Sequence, residues 1–251
     1  MSPLVAMALL VPAGLVAGFV NTLAGAGSVV TIPALLLLGL PADVANATNR
    51  VAVLAQSAGG VTGFAGAKLV GRDEALRVAA PAVLGAALGA YLATLVGARV
   101  LEPLLVASLL LVAALVLLAP NLVLVSPTES PRSLDARPAA MLALFAIGLY
   151  GGLLQAGVGL FLLAFLGAAL RYDLVRGNAM KVVVVGAFTL VAVAVFVARG
   201  LVVWTPGLVL AASSFMGARI GARYALAYGQ RGIRPVVVVA AVGGSVILLL
   251  R

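Results

Sequence analysis

Two short polar clusters interrupt a chain that is otherwise almost wholly apolar. They are Asn46-Ala47-Thr48-Asn49-Arg50 and Asn178-Ala179-Met180-Lys181. Asparagine supplies amide donors, threonine supplies a hydroxyl, and arginine or lysine supplies a positive charge. Donors and cations without a carboxylate suit a small anion, so the clusters predict an anion-binding site. The competing interpretation is that these residues are ordinary helix caps and interface anchors.

A glycine turn precedes each cluster. The first is Gly25-Ala26-Gly27-Ser28, and the second is Gly157-Val158-Gly159, with Gln155 just ahead of it. Glycine allows close approach to the backbone, and the helix that starts after each turn points its free N–H groups and positive dipole end at the turn. A helix N-terminus of this kind is suited to an anion. We therefore expect Gly25, Gly27, Ser28, Gln155, Gly157 and Gly159 to contribute to substrate binding.

The composition shows where these residues must operate. Of the 251 residues, 64% are hydrophobic and 9% are charged, with no Cys and no His. Soluble domains average about 25% charged residues, so this chain is predicted to be an integral membrane protein. Without Cys or His there is no disulfide, no thiol or histidine metal site and no catalytic triad, so we expect no enzyme, no metal and no cofactor.

A charge inside a membrane costs roughly 2.5–3.5 kcal/mol or more, and a cation at the start of a helix is also disfavoured by the helix dipole. Arg50 and Lys181 both stand at the start of long apolar runs. An anionic ligand would offset both costs. The binding residues expected from the clusters are therefore Asn46, Thr48, Asn49, Arg50, Asn178 and Lys181.

Polar and glycine-rich stretches divide the chain into two halves, 1–119 and 139–251, joined by a proline-rich linker, 120–138. Each half runs through a long, a short and three further long apolar segments. A shift of 132 positions without any gap superposes the halves. The matched pairs are Gly25 with Gly157, Gly27 with Gly159, Asn46 with Asn178, Phe64 with Phe196, Gly85 with Gly217, Gly89 with Gly221, Gly97 with Gly229, Arg99 with Arg231, and Pro103 with Pro235.

If the long and short segments double back, each repeat crosses the membrane an odd number of times. The second copy is then inverted, as in many secondary transporters. The predicted fold is therefore an all-α bundle of two inverted repeats, each with a re-entrant or broken helix pair and three transmembrane helices. The two Gly-x-x-x-Gly pairs, at Gly85 and Gly217, are expected to serve close helix packing.

The cations test this topology. The doubled-back arrangement places twelve of the sixteen Lys and Arg residues on one side, which the positive-inside rule assigns to the cytoplasm. Those twelve are Lys68, Arg72, Arg77, Arg132, Arg137, Arg171, Arg176, Lys181, Arg219, Arg223, Arg231 and Arg234. The linker is then cytoplasmic and both termini lie outside. A single broken helix in place of the doubled-back pair would mix the charges across both sides.

The residues of the turns and clusters resemble the TauE/SafE family of sulfite and organosulfonate exporters. The first half carries the resemblance in Gly25-Ala26-Gly27-Ser28, Ile32-Pro33 and Ala47-Thr48-Asn49-Arg50. The second half carries it in Gly157-Val158-Gly159, Asn178-Ala179-Met180-Lys181 and the segment from Gly217 to Arg223. The resemblance implies a multi-pass inner-membrane protein that exports a small sulfur-containing anion, such as sulfite or a sulfonate like sulfoacetate.

The leading hypothesis is therefore a secondary transporter working by alternating access. An anion channel of similar plan, or an importer of a small oxyanion, stays open as an alternative. A membrane enzyme or a structural subunit is disfavoured, because no carboxylate lies inside a long apolar run and a structural subunit needs no such repeat. The expected partners are a small anion and the lipid bilayer but no nucleic acid, and assembly as a homodimer stays open.

Overall fold

The computed structural model describes residues 3–118, 132, 134 and 138–249, and these form an all-helical structure without any strand. The first half contains α1 (Pro3–Ala24), α2 (Ser28–Leu37), α3 (Ala42–Phe64), α4 (Arg72–Leu95) and α5 (Ala98–Leu118). The second contains α6 (Pro138–Leu153), α7 (Val158–Leu170), α8 (Leu174–Ala198) and α9 (Trp204–Leu249). The predicted all-α class is confirmed. The linker lies largely outside the described residues.

The helices of the two halves follow the same order. α9 is broken at Gly229, where φ is 57° and ψ is −149°, so the second half consists of a pair of helices and three further long segments. The predicted long and short pair is less unequal here than in the first half, since α6 has 16 residues and α7 has 13. Three described helices are long and apolar enough to cross a membrane, namely Met7–Ala24 within α1, Arg72–Leu95 and Leu174–Ala198. In α3 the polar cluster interrupts the apolar sequence.

At the first glycine turn the chain reverses direction. Gly27 donates its backbone N–H to the Asn21 side chain at 3.2 Å, and a Cβ placed on Gly27 would lie 2.5 Å from the Ala17 carbonyl oxygen. Farther along, Leu35 of α2 and Leu10 of α1 belong to one packed cluster. The short helix therefore runs back along the long one.

The two halves interlock through the first helix of each. Gly85 and Gly89 of α4 pack on α6, where added Cβ atoms would lie 2.8 and 2.9 Å from the backbone nitrogens of Leu149 and Leu153. Gly217 of α9 packs on α1 in the same way. The prediction that the Gly-x-x-x-Gly pairs serve close packing is confirmed. Because each Gly-x-x-x-Gly pair packs against the first helix of the other half, neither half forms a separate compact unit.

Two loops that the sequence assigns to one side of the membrane meet in the structure. Glu74, in the first turn of α4, forms an ion pair of 2.7 Å with Arg176 and accepts a hydrogen bond from the Tyr172 hydroxyl. The Arg176 guanidinium lies 4.5 Å from the centre of the Tyr172 ring. Burial and the neighbouring carboxylate raise the pKa of the Tyr172 hydroxyl, so this group stays protonated and acts as the donor.

Candidate functional site

The two glycine turns meet at the centre of the molecule. A Cβ placed on Gly25 would lie 2.6 Å from the Cα of Gly159, and one on Gly159 would lie 2.5 Å from the Cα of Gly25. Real Cβ contacts are never this short, so only glycine permits the approach. Gly25 and Gly157 also have positive φ angles, 74° and 67°, which glycine adopts without strain.

Lys181, on the second turn of α8, binds the end of α1. Its ammonium group donates to the carbonyl oxygens of Asn21 and Thr22, both at 2.8 Å, and to the side-chain oxygen of Asn178 at 2.6 Å. The amide of Asn178 in turn donates to the carbonyl oxygen of Leu23 at 3.2 Å. An ammonium has three protons, and in this state all three are donated to protein oxygens.

Arg50, on α3, makes the corresponding contacts with the end of α6. Its guanidinium donates to the carbonyl oxygens of Gly151 and Gly152, to the side-chain oxygen of Gln155 and to that of Asn46. Asn46 donates to the carbonyl oxygen of Leu153 at 2.9 Å. The guanidinium also lies 5.3 Å from the centre of the Phe196 ring.

We call the contacts of Lys181 with the end of α1 and of Arg50 with the end of α6 the two cross-braces. They explain how fully buried cations are tolerated. The last carbonyl groups of a helix have no partner within it and carry the negative end of its dipole. Lys181 and Arg50 are both buried, yet each lies at such a helix end in the opposite half of the chain. The sequence predicts that an anion compensates these charges, whereas in the structure backbone carbonyl groups do so.

Beside Lys181, between the two glycine turns, lies a small cavity, here called the central cavity. Its volume is about 10 Å³, which is room for about one water molecule. The lining residues are Asn21, Ser57, Gln155, Val158, Gly159, Lys181, Val182 and Val185. Among the described residues, neither the Ser57 hydroxyl nor the Gln155 amide nitrogen has a hydrogen-bond partner, so both are available to an occupant. The lining contains donors and one cation but no carboxylate.

Comparison with known proteins identifies the family. The family model described as "Sulfite exporter TauE/SafE" matches residues 10–248. The chain belongs to the TauE/SafE family. It is 31% identical over 244 residues to the "Probable membrane transporter protein ORF9" of Sinorhizobium sp., covering 97% of this chain and 92% of that protein.

Two further relatives carry similar names. The "Probable membrane transporter protein YfcA" of Escherichia coli K12 is 30% identical over 90% of this chain and 82% of its own length. A "Probable membrane transporter protein" of Haemophilus influenzae is 27% identical over 93% of this chain and 90% of its own length. No solved structure matches the chain. As a TauE/SafE protein with long apolar helices, the chain is a membrane protein of a transporter family.

The remaining predicted residues of this TauE/SafE protein lie around α2 and the start of α9. Asn49 accepts a hydrogen bond from Thr31 at 2.5 Å and donates to the Ser28 hydroxyl at 3.4 Å, so it ties the start of α2 to α3. Thr48 accepts from the backbone N–H of Val203 at 3.1 Å, next to the first residue of α9. Neither residue lines the central cavity.

Two polar residues that line the cavity of this TauE/SafE protein, Asn21 and Ser57, are not among those predicted from the sequence. Asn21 carried a usable signal, because a polar residue near the end of a long apolar run is costly in a membrane. Ser57 carried a weaker one: it stands seven residues after Arg50, which places both on one face of α3. A single small hydroxyl in an apolar helix is too common to indicate a site.

Proposed function

We propose that this protein is a secondary transporter that exports a small sulfur-containing oxyanion, such as sulfite or a sulfonate like sulfoacetate, by alternating access. The observation that carries the proposal is the central cavity, where buried Lys181 lies beside the unpartnered donors of Ser57 and Gln155. The choice of a sulfur oxyanion and of export rests on the name of the family. The predicted inverted repeat supports alternating access.

The chemistry of the lining favours an anion over a cation or a neutral solute. A deprotonated oxyanion offers several acceptors and no donor, which matches the free hydroxyl of Ser57, the free amide N–H groups of Gln155 and the positive charge of Lys181. Because the three protons of Lys181 are already donated, an arriving anion competes with Asn178 and the carbonyl groups of α1 for them. Binding would then loosen the contact between α1 and α8.

The small volume of the cavity supports a carrier. A cavity of about 10 Å³ holds roughly one water molecule, whereas a sulfite ion is several times larger. The halves would have to separate for the anion to enter and close again around it. A transporter that moves between such states needs the site to be closed at some stage.

We further propose that the protein lies in the inner membrane with both termini outside and the 120–138 linker in the cytoplasm. Eleven of the twelve cations assigned to the linker side support this orientation, since Lys181 is buried at the central site. A single cysteine at Ser130→Cys would be reached by an impermeant thiol reagent only from the cytoplasm, and one at Thr205→Cys only from outside. Labelling of both from the same side would contradict the orientation.

Transport and binding are tested with the purified protein. A thermal-shift screen against sulfite, sulfate, thiosulfate, sulfoacetate, taurine and a carboxylate identifies the ligand, and uptake into liposomes then tests counterflow. Counterflow that saturates supports a carrier, and flux that neither saturates nor shows counterflow would indicate a channel. Absence of a shift with every anion would contradict the proposed substrate class.

A matched pair of serine variants tests the cavity itself. Ser57→Ala removes a hydroxyl that lines the cavity, and we expect anion affinity to fall about fivefold, since one hydrogen bond contributes about 1 kcal/mol. Ser214→Ala removes another buried hydroxyl without a partner, but Ser214 does not line the cavity. Equal affinity in both variants and the unaltered protein would remove Ser57 from the site.

A further inference from the structure

A second, larger pocket opens at the far end of α3. Its volume is about 240 Å³, and it lies between the last turns of α3, the segment 65–70 and α8. The lining residues are Val61, Phe64, Ala65, Gly66, Lys68, Leu69, Val70, Ala179 and Val183. Both halves therefore contribute to its wall, and Lys68 places a cation at its rim.

This pocket and the central cavity are both lined by α3 and α8. Along α3, Ser57 lines the cavity and Phe64 lines the pocket. Between them Gly60 contacts α8, where an added Cβ would lie 2.8 Å from Val182. Phe64 and Val182 belong to one packed cluster. Phe64, Gly60 and Val182 therefore lie between the parts of α3 and α8 that line the pocket and those that line the cavity.

The internal repeat duplicates the wall of this pocket. The shift of 132 positions pairs six lining residues with identical ones. The pairs are Val61 with Val193, Phe64 with Phe196, Leu69 with Leu201, Val70 with Val202, Ala179 with Ala47, and Val183 with Val51. Aliphatic matches are frequent in so apolar a chain, and the Phe64 and Phe196 pair therefore carries most of the weight.

The second copy of the wall is more closely packed around its phenylalanine, since Phe196 is 1% exposed and Phe64 is 7% exposed. Phe196 is buried in a cluster with Ala47 and Ala192, and Leu201 and Val202 pack against that cluster. The start of α9 covers Val51, since a Cβ on Gly207 would lie 3.7 Å from it. Val182 corresponds to Arg50 in this copy, and Arg50 contacts the Phe196 ring. The same set of residues thus lines an open pocket in one copy and is more closely packed in the other.

Lys68 marks a further difference between the copies. It corresponds to Gly200, and both residues have positive φ, 46° for Lys68 and 66° for Gly200. Glycine takes this conformation without strain, whereas a lysine there costs of order 1 kcal/mol. A strained cation at the rim of an open pocket is explained if it attracts an anion.

We propose that the pocket at Phe64 is the open access vestibule of the central site, that the packed wall at Phe196 is its closed counterpart on the opposite side of the membrane, and that Phe64 and Phe196 are the two gates. This inference rests on the transport function proposed above and adds the route by which an anion reaches the site. Alternating access then exchanges the open and closed copies of one duplicated wall.

The absence of cysteine from the chain allows a direct test. Ser57→Cys places one thiol in the central cavity, and its reaction with impermeant sulfonatoethyl methanethiosulfonate is measured in right-side-out and inside-out vesicles. Adding Phe64→Ala should speed the reaction about tenfold or more from the side of Lys68 only, which corresponds to about 1.4 kcal/mol. Adding Phe196→Ala should do so from the opposite side only.

Controls keep the test independent of folding defects. Phe165→Ala truncates a partly buried phenylalanine of α7 that lines neither pocket, and it should leave both rates unchanged. If either gate variant fails to fold, single cysteines at Val183→Cys and Val51→Cys replace it. We expect Val183→Cys to react only from the side of Lys68, and Val51→Cys more slowly and only from the opposite side.

The role of Lys68 is tested in the Val183→Cys protein. Lys68→Gln should slow the anionic sulfonatoethyl reagent and leave the cationic trimethylammonioethyl reagent as fast or faster, because the charge is removed while a side chain of similar length is kept. Labelling of Val183→Cys and Val51→Cys from one common side, or gate variants that act from one common side, would overturn the inference. Labelling requires no transported substrate, so it tests the gates separately from the proposed anion. If the expected labelling pattern is found but no anion slows the labelling, the gates are supported and only the proposed anion is contradicted.

Discussion

Gly25 and Gly159 lie back to back, so close that a Cβ on Gly159 would stand 2.5 Å from the Cα of Gly25. They belong to different halves. Gly25 directly follows α1, and Gly159 lies in the first turn of α7. Their contact brings the two turns into one site and leaves a small cavity beside Lys181. The repeat predicts two such turns, and the contact makes them a single structural centre.

Gly159→Ala should destabilise the protein strongly. Its Cβ would overlap the backbone of Gly25, and overpacking of this kind costs about 1–3 kcal/mol. Gly97→Ala is the matched control. Gly97 also lies at the start of a helix and has no positive φ, but no atom lies within 4 Å of a Cβ added to it. Thermal unfolding in detergent measures both, and equal unfolding temperatures would contradict the close contact of the turns.

Arg50→Lys should also lower stability. An ammonium cannot reach the carbonyl oxygens of Gly151 and Gly152 and the Gln155 side chain at once with the geometry of a guanidinium, and each lost hydrogen bond to a charged group contributes about 1.5–3 kcal/mol. The measurement is again thermal unfolding. Arg99→Lys, at an exposed position, is the control and should leave the unfolding temperature unchanged. A stable Arg50→Lys protein would show that the cross-brace contributes little.

The Glu74 and Arg176 pair should contribute only modestly. Both side chains are 29% exposed, and ion pairs that solvent reaches contribute about 0.2–1 kcal/mol. A double-mutant cycle with Glu74→Gln and Arg176→Gln measures this coupling energy. We expect the coupling to shrink as salt is raised. A coupling well above this range would indicate that Tyr172 and the ion pair act as one cooperative network.

The helices were predictable because apolar runs and glycine or proline breaks carry that information locally. The short α2 and α7, the turn at Gly25 and the break at Gly229 all follow from it. The repeat was equally visible, since Gly25, Asn46 and Phe64 each recur after 132 positions. The beginning of α3 was less accurate: it starts at Ala42, four residues before the polar cluster that suggested its start.

The partners of the polar residues were not predictable. Lys181 donates to the carbonyl of Asn21, which lies 160 positions away, and Arg50 donates to groups more than 100 positions away. Every residue has a backbone carbonyl of the same chemistry. The residue types at those positions therefore do not indicate which carbonyl groups accept hydrogen bonds from Lys181 and Arg50. The sequence therefore showed that these cations needed compensation without showing what supplied it.

The sequence by itself determined a membrane protein of two matched helical halves with polar clusters after glycine turns, because composition and repetition are properties of residue order. Only the tertiary structure decided that the turns of the two halves touch, that each half braces the helix ends of the other, and that one copy of a duplicated wall is open while the other is packed. Such features depend on contacts between segments far apart in the chain, and identical residues in two copies can adopt either arrangement.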